Sequence, residues 1–305
     1  MRAIDKLRKA QEFLERAGIE DAGREAEMII SYCLRVERGD LYKDNPLIRD
    51  DVILKIDSYL KRRSKREPLQ YILGYTEFYG LTIKVGRGVL IPRPETELLA
   101  EEAIKTMRKR NSETSSPPHP PLPKGGRRGG SILDLCTGSG CIAIALAKAF
   151  SDAQVYGTDT SEVAIQHAEE NAKINDTDNV IFLKGSLFEP VGILFTLHRS
   201  ELFFDLIVSN PPYIKRDDIK NLQPEIREWE PAEALDGGED GLDYYKVIVP
   251  EARKYLKEDG YLMLEIGISQ ANAVEKMAMD AGYQNISLLK DYSGIERIFI
   301  GRRSK

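Results

Sequence analysis

The fold of the larger part of the chain is decided by Phe204-Asp205-Leu206-Ile207-Val208-Ser209-Asn210-Pro211-Pro212-Tyr213. Residues 204–209 are mostly apolar and predict a buried strand, which the two prolines end because proline has no N–H for a strand ladder. In open α/β sheets, ligands bind in the crevice beyond the carboxyl ends of the strands. We therefore expect Asn210 to Tyr213 to lie in such a crevice.

A second ligand-binding signal lies in residues 132–143, which predict a strand, a glycine turn and a helix start. Gly138 and Gly140 allow a tight turn and a close approach to a ligand, because no Cβ intervenes. Asp159 ends the next predicted strand, where a carboxylate can accept both hydroxyls of an adenosine ribose. Taken alone, this pattern also fits an NAD or FAD site, or a tight turn without a ligand. The tetrapeptide after the fourth strand decides between these alternatives.

Strand-like and helical segments alternate from Ser131 onwards, which predicts a parallel sheet with helices on both faces. The predicted strands are 131–135, 155–159, 180–184, 204–209, 260–265, 286–289 and 297–300, and the predicted helices are 141–150, 161–174, 243–257 and 269–281. The link 290–296 is too short for a crossover helix, so we expect the last two strands to be antiparallel. This α/β arrangement, a Rossmann-like seven-stranded sheet with an antiparallel last strand, is typical of class I methyltransferases.

Two further regions precede this sheet. Apolar residues recur at helical spacing through residues 1–74, which predicts a small α-helical domain. Residues 75–94 predict a β-hairpin linker, in which Gly86-Arg87-Gly88 supplies the turn. Residues 95–305 then form the sheet domain, and the Pro-, Gly- and Ser-rich stretch 110–130 within it predicts a flexible insertion.

Composition excludes several classes of protein. The net charge of −5 gives no electrostatic reason to expect direct nucleic-acid binding. No run approaches the ~20 apolar residues of a membrane span, and the first residues have no signal-peptide core, so we expect a cytoplasmic protein with no membrane contact. The three cysteines cannot build a disulfide framework, and the three histidines are not clustered at ligand spacing. We therefore expect no metal site.

The tetrapeptide Asn210 to Tyr213 resembles the motif (Asn/Asp/Ser)-Pro-Pro-(Tyr/Phe) of the amino-methyltransferase branch of the class I family. Three further stretches are similar to the bacterial peptide chain release factor glutamine methyltransferases. They are Arg66-Glu67-Pro68-Leu69-Gln70-Tyr71-Ile72-Leu73-Gly74 with Glu77-Phe78-Tyr79-Gly80-Leu81, Val89-Leu90-Ile91-Pro92-Arg93-Pro94-Glu95-Thr96-Glu97, and Glu230-Pro231 with Ala234-Leu235 and Gly237-Gly238-Glu239-Asp240-Gly241-Leu242. The resemblance covers nearly the whole chain outside 110–130 and 191–203.

This resemblance implies that residues 1–74 recognise the substrate and that S-adenosylmethionine is the cofactor. It implies methylation of the side-chain amide nitrogen of the glutamine in the Gly-Gly-Gln loop of class I release factors, the protein partners. The catalytic residues would be Asn210, Pro211, Pro212 and Tyr213. The cofactor-binding residues would be Cys136, Thr137, Gly138, Ser139, Gly140, Asp159, Ser186, Leu187 and Asn210. Arg93, Glu95 and Glu97 would lie on the substrate side.

Two residues depart from the family pattern. Cys136 stands where the general class I loop has glycine, so we expect its backbone to avoid a conformation that only glycine can adopt. Ser186 stands where an acidic residue often contacts the adenine amino group. A hydroxyl can still accept that hydrogen bond, more weakly.

The tetrapeptide also suits this chemistry on physical grounds. The lone pair of an amide nitrogen is delocalised, so the nitrogen must be held in line with the methyl group. The side-chain carbonyl of Asn210 and the backbone carbonyl of Pro211 can accept its two N–H groups, and prolines stiffen their backbone in advance. The same carbonyls stabilise positive charge that develops on the nitrogen. We expect no histidine to act as the base.

Two other substrates are consistent with the tetrapeptide: a glutamine of a large-subunit ribosomal protein, and an adenine of DNA or RNA. The run from Pro92 to Glu97 favours release factors over the ribosomal protein. The negative net charge argues against nucleic acid. A binding module without catalysis would require a damaged Asn210 or glycine loop, and both are intact.

Overall fold

The structure of the protein is a computed structural model, which describes residues 1–113, 130–198 and 203–304. The chain divides into two compact units. The first unit comprises Met1–Tyr75 and Leu222–Glu230, and the second comprises Thr76–Asn221 and Pro231–Lys305. Most of the predicted insertion at 110–130 lies outside the described residues.

The first unit is helical, as the apolar spacing predicts. Its core includes Leu14, Ile30 and Ile56, which are fully buried. Arg63 is buried and donates hydrogen bonds to Glu25 at 2.5 Å and to Glu225 at 2.9 Å, so a paired charge holds residues 222–230 in this unit. The helices are α1 (Ala3–Arg16), α2 (Ala22–Leu34), α3 (Arg38–Lys43), α4 (Asp50–Arg63) and α5 (Leu69–Leu73).

A short hairpin follows, formed by β1 (Tyr75–Phe78) and β2 (Leu81–Lys84). The predicted position of its turn is wrong, because residues 86–91 form no strand. The turn lies at Tyr79 and Gly80, with φ angles of 48° and 72°. Two successive residues with positive φ match the twist of paired strands, which explains why the hairpin closes there.

The second unit is built on one seven-stranded sheet in the order β5-β4-β3-β6-β7-β9-β8. Strands β3 to β7 are parallel, and β9 runs antiparallel to both β7 and β8. The predicted class I methyltransferase fold with an antiparallel last strand is confirmed. The elements are α6 (Pro94–Glu113), β3 (Ser131–Leu135), α7 (Cys141–Ala149), β4 (Gln154–Asp159), α8 (Glu162–Ile174), β5 (Val180–Lys184), α9 (Glu189–His198), β6 (Phe204–Ser209), α10 (Pro224–Arg227, in the first unit), α11 (Asp243–Tyr255), β7 (Leu256–Glu265), α12 (Ala271–Asp280), β8 (Tyr283–Lys290) and β9 (Glu296–Arg303).

The central strands are buried on both faces, which is why they are nearly continuous apolar runs. All six residues of β6 are buried. Because β3, β4, β6 and β7 are parallel, their carboxyl ends meet at one edge of the sheet. Cys136, Asp159, Asn210 and Glu265 lie at or just beyond those four ends. This edge therefore gathers the polar residues of the candidate site.

One charge cluster lies at the beginning of β6. The Asp205 carboxylate accepts hydrogen bonds from the backbone N–H of Ser131 at 2.8 Å, from Lys257 at 2.7 Å, and from Arg110. Burial alone would raise the pKa of Asp205, but the charges of Lys257 and Arg110 hold it below its ordinary value. Asp205 thus binds the chain on both sides of residues 114–129.

Candidate active site

The glycine loop between β3 and α7 turns through three residues in the left-handed region. Cys136, Gly138 and Gly140 have φ angles of 56°, 55° and 80°. The φ of Cys136 lies in the left-handed region, which residues with a Cβ adopt only rarely. This conformation costs a residue with a Cβ about 1–2 kcal/mol, which the surrounding loop must offset.

The two glycines of the loop differ in their surroundings. A Cβ on Gly140 would lie 2.9 Å from the Cβ of Ala168 and 3.0 Å from the ring of Phe182, so this glycine permits close packing. A Cβ on Gly138 would meet no atom within 4 Å. Gly138 lines the cavity described below, whereas Gly140 does not. One glycine therefore serves packing, and the other leaves space for a ligand.

The carboxylate of Asp159 lies against this loop at the end of β4. It accepts hydrogen bonds from the backbone N–H groups of Gly138 and Ser161, both at 2.9 Å. Burial raises the pKa of Asp159, although these N–H groups favour the ionised form. The two carboxylate oxygens have four lone pairs between them, so Asp159 keeps capacity for another donor, such as a hydroxyl.

A second carboxylate, Asp134, is fully buried beneath the loop. Its Oδ2 accepts hydrogen bonds from the Thr137 hydroxyl at 2.6 Å and the Ala143 backbone N–H at 3.2 Å. Its Oδ1 has no hydrogen-bond partner among the described residues. Burial raises the pKa of Asp134 to about 7, against the lowering effect of both hydrogen bonds.

The tetrapeptide is held by a chain of side-chain hydrogen bonds. Asn210 Nδ2 donates to Thr96 Oγ1 at 3.0 Å, and this hydroxyl donates to Glu265 Oε2 at 2.7 Å. The Tyr213 hydroxyl donates to Glu265 Oε1 at 3.0 Å. Glu265 is 1% exposed, and burial raises its pKa although both hydroxyls and Arg297 lower it.

The glycine loop, Asp159 and Asn210 share one cavity of about 450 Å³ in the second unit. That volume is within the usual range for small-molecule and cofactor sites. Across the described ranges of the chain, no three His, Cys, Asp or Glu residues are placed to hold a metal ion. Likewise, no helix in those ranges is long and apolar enough to cross a membrane.

Most of the predicted site residues meet at this cavity. Those that line it are Cys136, Thr137, Gly138, Ser139, Asp159, Ser186, Leu187, Asn210 and Pro212. The other predicted site residues do not line it: Gly140, Pro211, Tyr213, Arg93, Glu95 and Glu97. Arg93, Glu95 and Glu97 are all half-buried at the beginning of α6, around the buried Thr96.

Two family models match the chain. The model described as the PrmC N-terminal domain matches residues 5–74, and the model described as a methyltransferase domain matches residues 127–293. The chain is 45% identical to a release factor glutamine methyltransferase of Thermodesulfovibrio yellowstonii over 305 residues, covering 100% of this chain and 99% of that relative. The chain belongs to the release factor glutamine methyltransferase family.

A second member of the release factor glutamine methyltransferase family, from Geobacter sulfurreducens, is 43% identical over 292 residues, covering 95% of this chain and 93% of that relative. Among solved structures, a methyltransferase from Pyrococcus furiosus matches with 19% identity and a TM-score of 0.50, covering 74% of this chain and 91% of that one. At that identity the structural match supports the fold alone.

Within this member of the release factor glutamine methyltransferase family, three site residues escape the sequence reasoning. Glu265 ends a central strand, so the rule that located Asp159 and Asn210 could have found it. Thr96 lies in the run from Pro92 to Glu97, between two acidic residues, and a threonine there gives no functional signal of its own. Asn171 lies in the middle of α8 and has no local signal.

Proposed function

We propose that this protein transfers a methyl group from S-adenosylmethionine to the side-chain amide nitrogen of the glutamine in the Gly-Gly-Gln loop of class I release factors. One observation carries the proposal. Asn210, the first residue of the Asn-Pro-Pro-Tyr tetrapeptide, lines the same cavity as Asp159 and the glycine loop. The amide-holding group and the cofactor-binding groups therefore face one space.

The residues of the cavity fit this cofactor. Asp159 keeps lone pairs for the ribose hydroxyls, and Gly138 leaves open space where a side chain would stand. Thr158 lines the cavity with a buried hydroxyl that has no partner among the described residues, so it is available to a ligand. Ser186 and Leu187 also line the cavity, which supports the adenine contact that the resemblance implies for them.

Asn210 and Pro211 would hold the substrate amide. Asn210 donates its own amide hydrogen to Thr96, which leaves Asn210 Oδ1 as an acceptor for one N–H of the glutamine side chain. The backbone carbonyl of Pro211 would accept the other N–H. Because two prolines restrict the backbone here, the two acceptors would need little reorganisation when the substrate binds.

The reaction requires little more from the protein. S-adenosylmethionine, when bound, supplies an electrophilic methyl group, and the electrons of the broken C–S bond stay on sulfur. The nitrogen gains a C–N bond and loses one of its two protons to solvent. The two carbonyl oxygens stabilise the positive charge that develops on nitrogen before that proton leaves.

The test uses the intact protein, S-adenosylmethionine with a radiolabelled methyl group, and a purified class I release factor. A release factor whose Gly-Gly-Gln glutamine is replaced by alanine serves as the control substrate. We expect label in the intact factor and none in the control. Equal labelling of both would exclude that glutamine as the acceptor, and label in neither would direct the search to ribosomal protein and then to nucleic acid.

We assign substrate recognition to the helical domain 1–74. A protein substrate offers only one loop to the cavity, so specificity requires contacts elsewhere. The first unit carries an aromatic cluster in which Tyr32 lies 6.1 Å from Tyr59 and 5.9 Å from Tyr75 between ring centroids. The Lys55 ammonium lies 5.3 Å from the Tyr32 ring. Aromatic residues are enriched in protein interfaces, which supports this assignment.

A variant with Lys55→Ser and Tyr59→Ala tests the assignment in the full-length chain. We expect a higher KM for the release factor, with kcat and the affinity for S-adenosylmethionine unchanged. The control is Lys254→Ser, because Lys254 is exposed on α11 in the second unit. If the double variant keeps the KM of the unmodified protein, this cluster does not recognise the substrate.

A further inference from the structure

We infer that Thr96 and Glu265 are positioning residues that set which way the Asn210 side-chain amide faces. The inference rests on the proposed function, because it concerns the group that would hold the substrate amide. An asparagine amide has nearly the same shape in its two orientations, but one presents an acceptor and the other a donor. Only the orientation with Oδ1 towards the cavity can accept an N–H of the substrate.

The single proton of the Thr96 hydroxyl fixes which atom of Asn210 faces it. A threonine hydroxyl has one proton, and Thr96 donates it to Glu265 Oε2 at 2.7 Å. Its oxygen can then only accept from Asn210, so the atom 3.0 Å away must be the amide nitrogen. The carboxylate of Glu265 therefore determines the orientation of Asn210 through one hydroxyl.

The other oxygen of Glu265 binds the far end of the tetrapeptide. Glu265 Oε1 accepts a hydrogen bond from the Tyr213 hydroxyl at 3.0 Å. A single buried carboxylate thus accepts one hydrogen bond from a hydroxyl on α6 and one from the hydroxyl of the last residue of the tetrapeptide. Both ends of the tetrapeptide are connected to it, Asn210 through Thr96 and Tyr213 directly.

Thr96 and Glu265 are both buried, which strengthens their effect on Asn210. Thr96 is 2% exposed and Glu265 is 1% exposed, so water cannot readily replace a lost partner. A buried polar group without a partner is costly, which makes a reversed Asn210 unfavourable. If Glu265 were exposed, water could bind either orientation of Asn210, and the carboxylate would not select one of them.

The decisive variant is Thr96→Val, which keeps the shape of the side chain and removes the hydroxyl. We expect kcat for methylation of the release factor to fall at least about tenfold, because the acceptor is no longer held in place. We expect the dissociation constant for S-adenosylmethionine to change by less than about twofold. Thr96→Ser restores the hydroxyl and should recover most of the rate.

Two controls separate positioning from general damage. Thr177→Val removes a half-buried hydroxyl that bonds the backbone carbonyl of Ala172, away from the cavity, and should leave the rate unchanged. In an Asn210→Ala background, Thr96→Val should change the residual rate by less than about twofold, because Thr96 acts through Asn210. Additive losses of rate in that double variant would overturn the inference. So would a Thr96→Val variant that keeps the rate of the unmodified protein, or one that loses affinity for S-adenosylmethionine in proportion to its rate.

A second measurement needs no substrate. The side-chain amide protons of Asn210, assigned by their loss in Asn210→Ala, should exchange slowly with solvent and should exchange faster in Thr96→Val. If the unmodified enzyme fails to methylate the release factor, the proposed function fails and this exchange measurement still decides the inference. Equal exchange rates in both proteins would overturn it.

Discussion

Asn171, in the middle of α8, donates a hydrogen bond from its side-chain amide to the backbone carbonyl of Ser139 at 2.9 Å. The same side chain donates to the carbonyl of Lys84 at 3.0 Å and accepts from the N–H of Lys84 at 2.7 Å. Asn171 is fully buried. One side chain therefore holds the glycine loop and strand β2 on the same helix.

Asn171→Ala should weaken both the fold and the cofactor site. The substitution removes the side-chain partner of the buried Ser139 carbonyl and two part-buried hydrogen bonds to the backbone of Lys84, so we expect a loss of about 1–3 kcal/mol in the free energy of unfolding. We expect lower affinity for S-adenosylmethionine, measured by calorimetry. The control is Asn175→Ala, because Asn175 bonds the Thr82 carbonyl at 2.8 Å but not the glycine loop. Equal cofactor affinity in both variants would contradict this role of Asn171.

The buried Asp134 should make stability depend on pH. Its pKa is about 7 in the folded protein, above the ordinary value of about 3.9. Between those pH values the folded state binds a proton that the unfolded state has lost. The contribution of Asp134 to the free energy of unfolding therefore falls as the pH rises, by at most about 1.4 kcal/mol per pH unit.

Asp134→Asn should remove that contribution. The amide oxygen can still accept from Thr137 and Ala143, and no charge is left to bury. We expect the stability of the variant relative to the unmodified protein to increase as the pH rises from 5 to 8 in urea unfolding experiments. Parallel curves over that range would show that Asp134 does not titrate there.

The two loop glycines should respond differently to the same change. Gly140→Ala places a methyl group within about 3 Å of Ala168 and Phe182, so we expect a large loss of thermal stability. Gly138→Ala meets no atom, so only its φ of 55° is costly, by about 1 kcal/mol. Because Gly138 lines the cavity, the second variant should lose cofactor affinity with only that smaller loss of stability. If Gly138→Ala lost more thermal stability than Gly140→Ala, or if only Gly140→Ala lost cofactor affinity, the two glycines would not have these separate roles.

The hydroxyl and the ring of Tyr213 should be separable. Tyr213→Phe keeps the ring and removes the donor to Glu265, so we expect a stability loss of about 1 kcal/mol and a rate reduced by less than tenfold. Tyr213→Ala also removes the packing of the half-buried ring, so its losses of stability and of rate should be considerably larger. Steady-state kinetics with denaturant unfolding would compare them. Equal effects would mean that the hydroxyl alone matters.

Local patterns were sufficient for the sheet and for most residues around the cavity. The strand before Asn210 and the loop before Gly140 each carry their signal within about ten neighbouring residues. Thr96 and Glu265 are 169 residues apart, and a threonine has no special role until the fold brings that carboxylate to it. The hairpin turn was misplaced because two glycine-containing segments compete locally, and only strand pairing selects Tyr79 and Gly80.

The carboxylate of Asp205 has a practical consequence. It bonds Arg110 on one side of residues 114–129 and the backbone N–H of Ser131 on the other. One carboxylate therefore joins the end of α6 to the first residue of β3, although the two are far apart along the chain. A change at Asp205 would therefore loosen the end of α6 and the beginning of β3 at the same time.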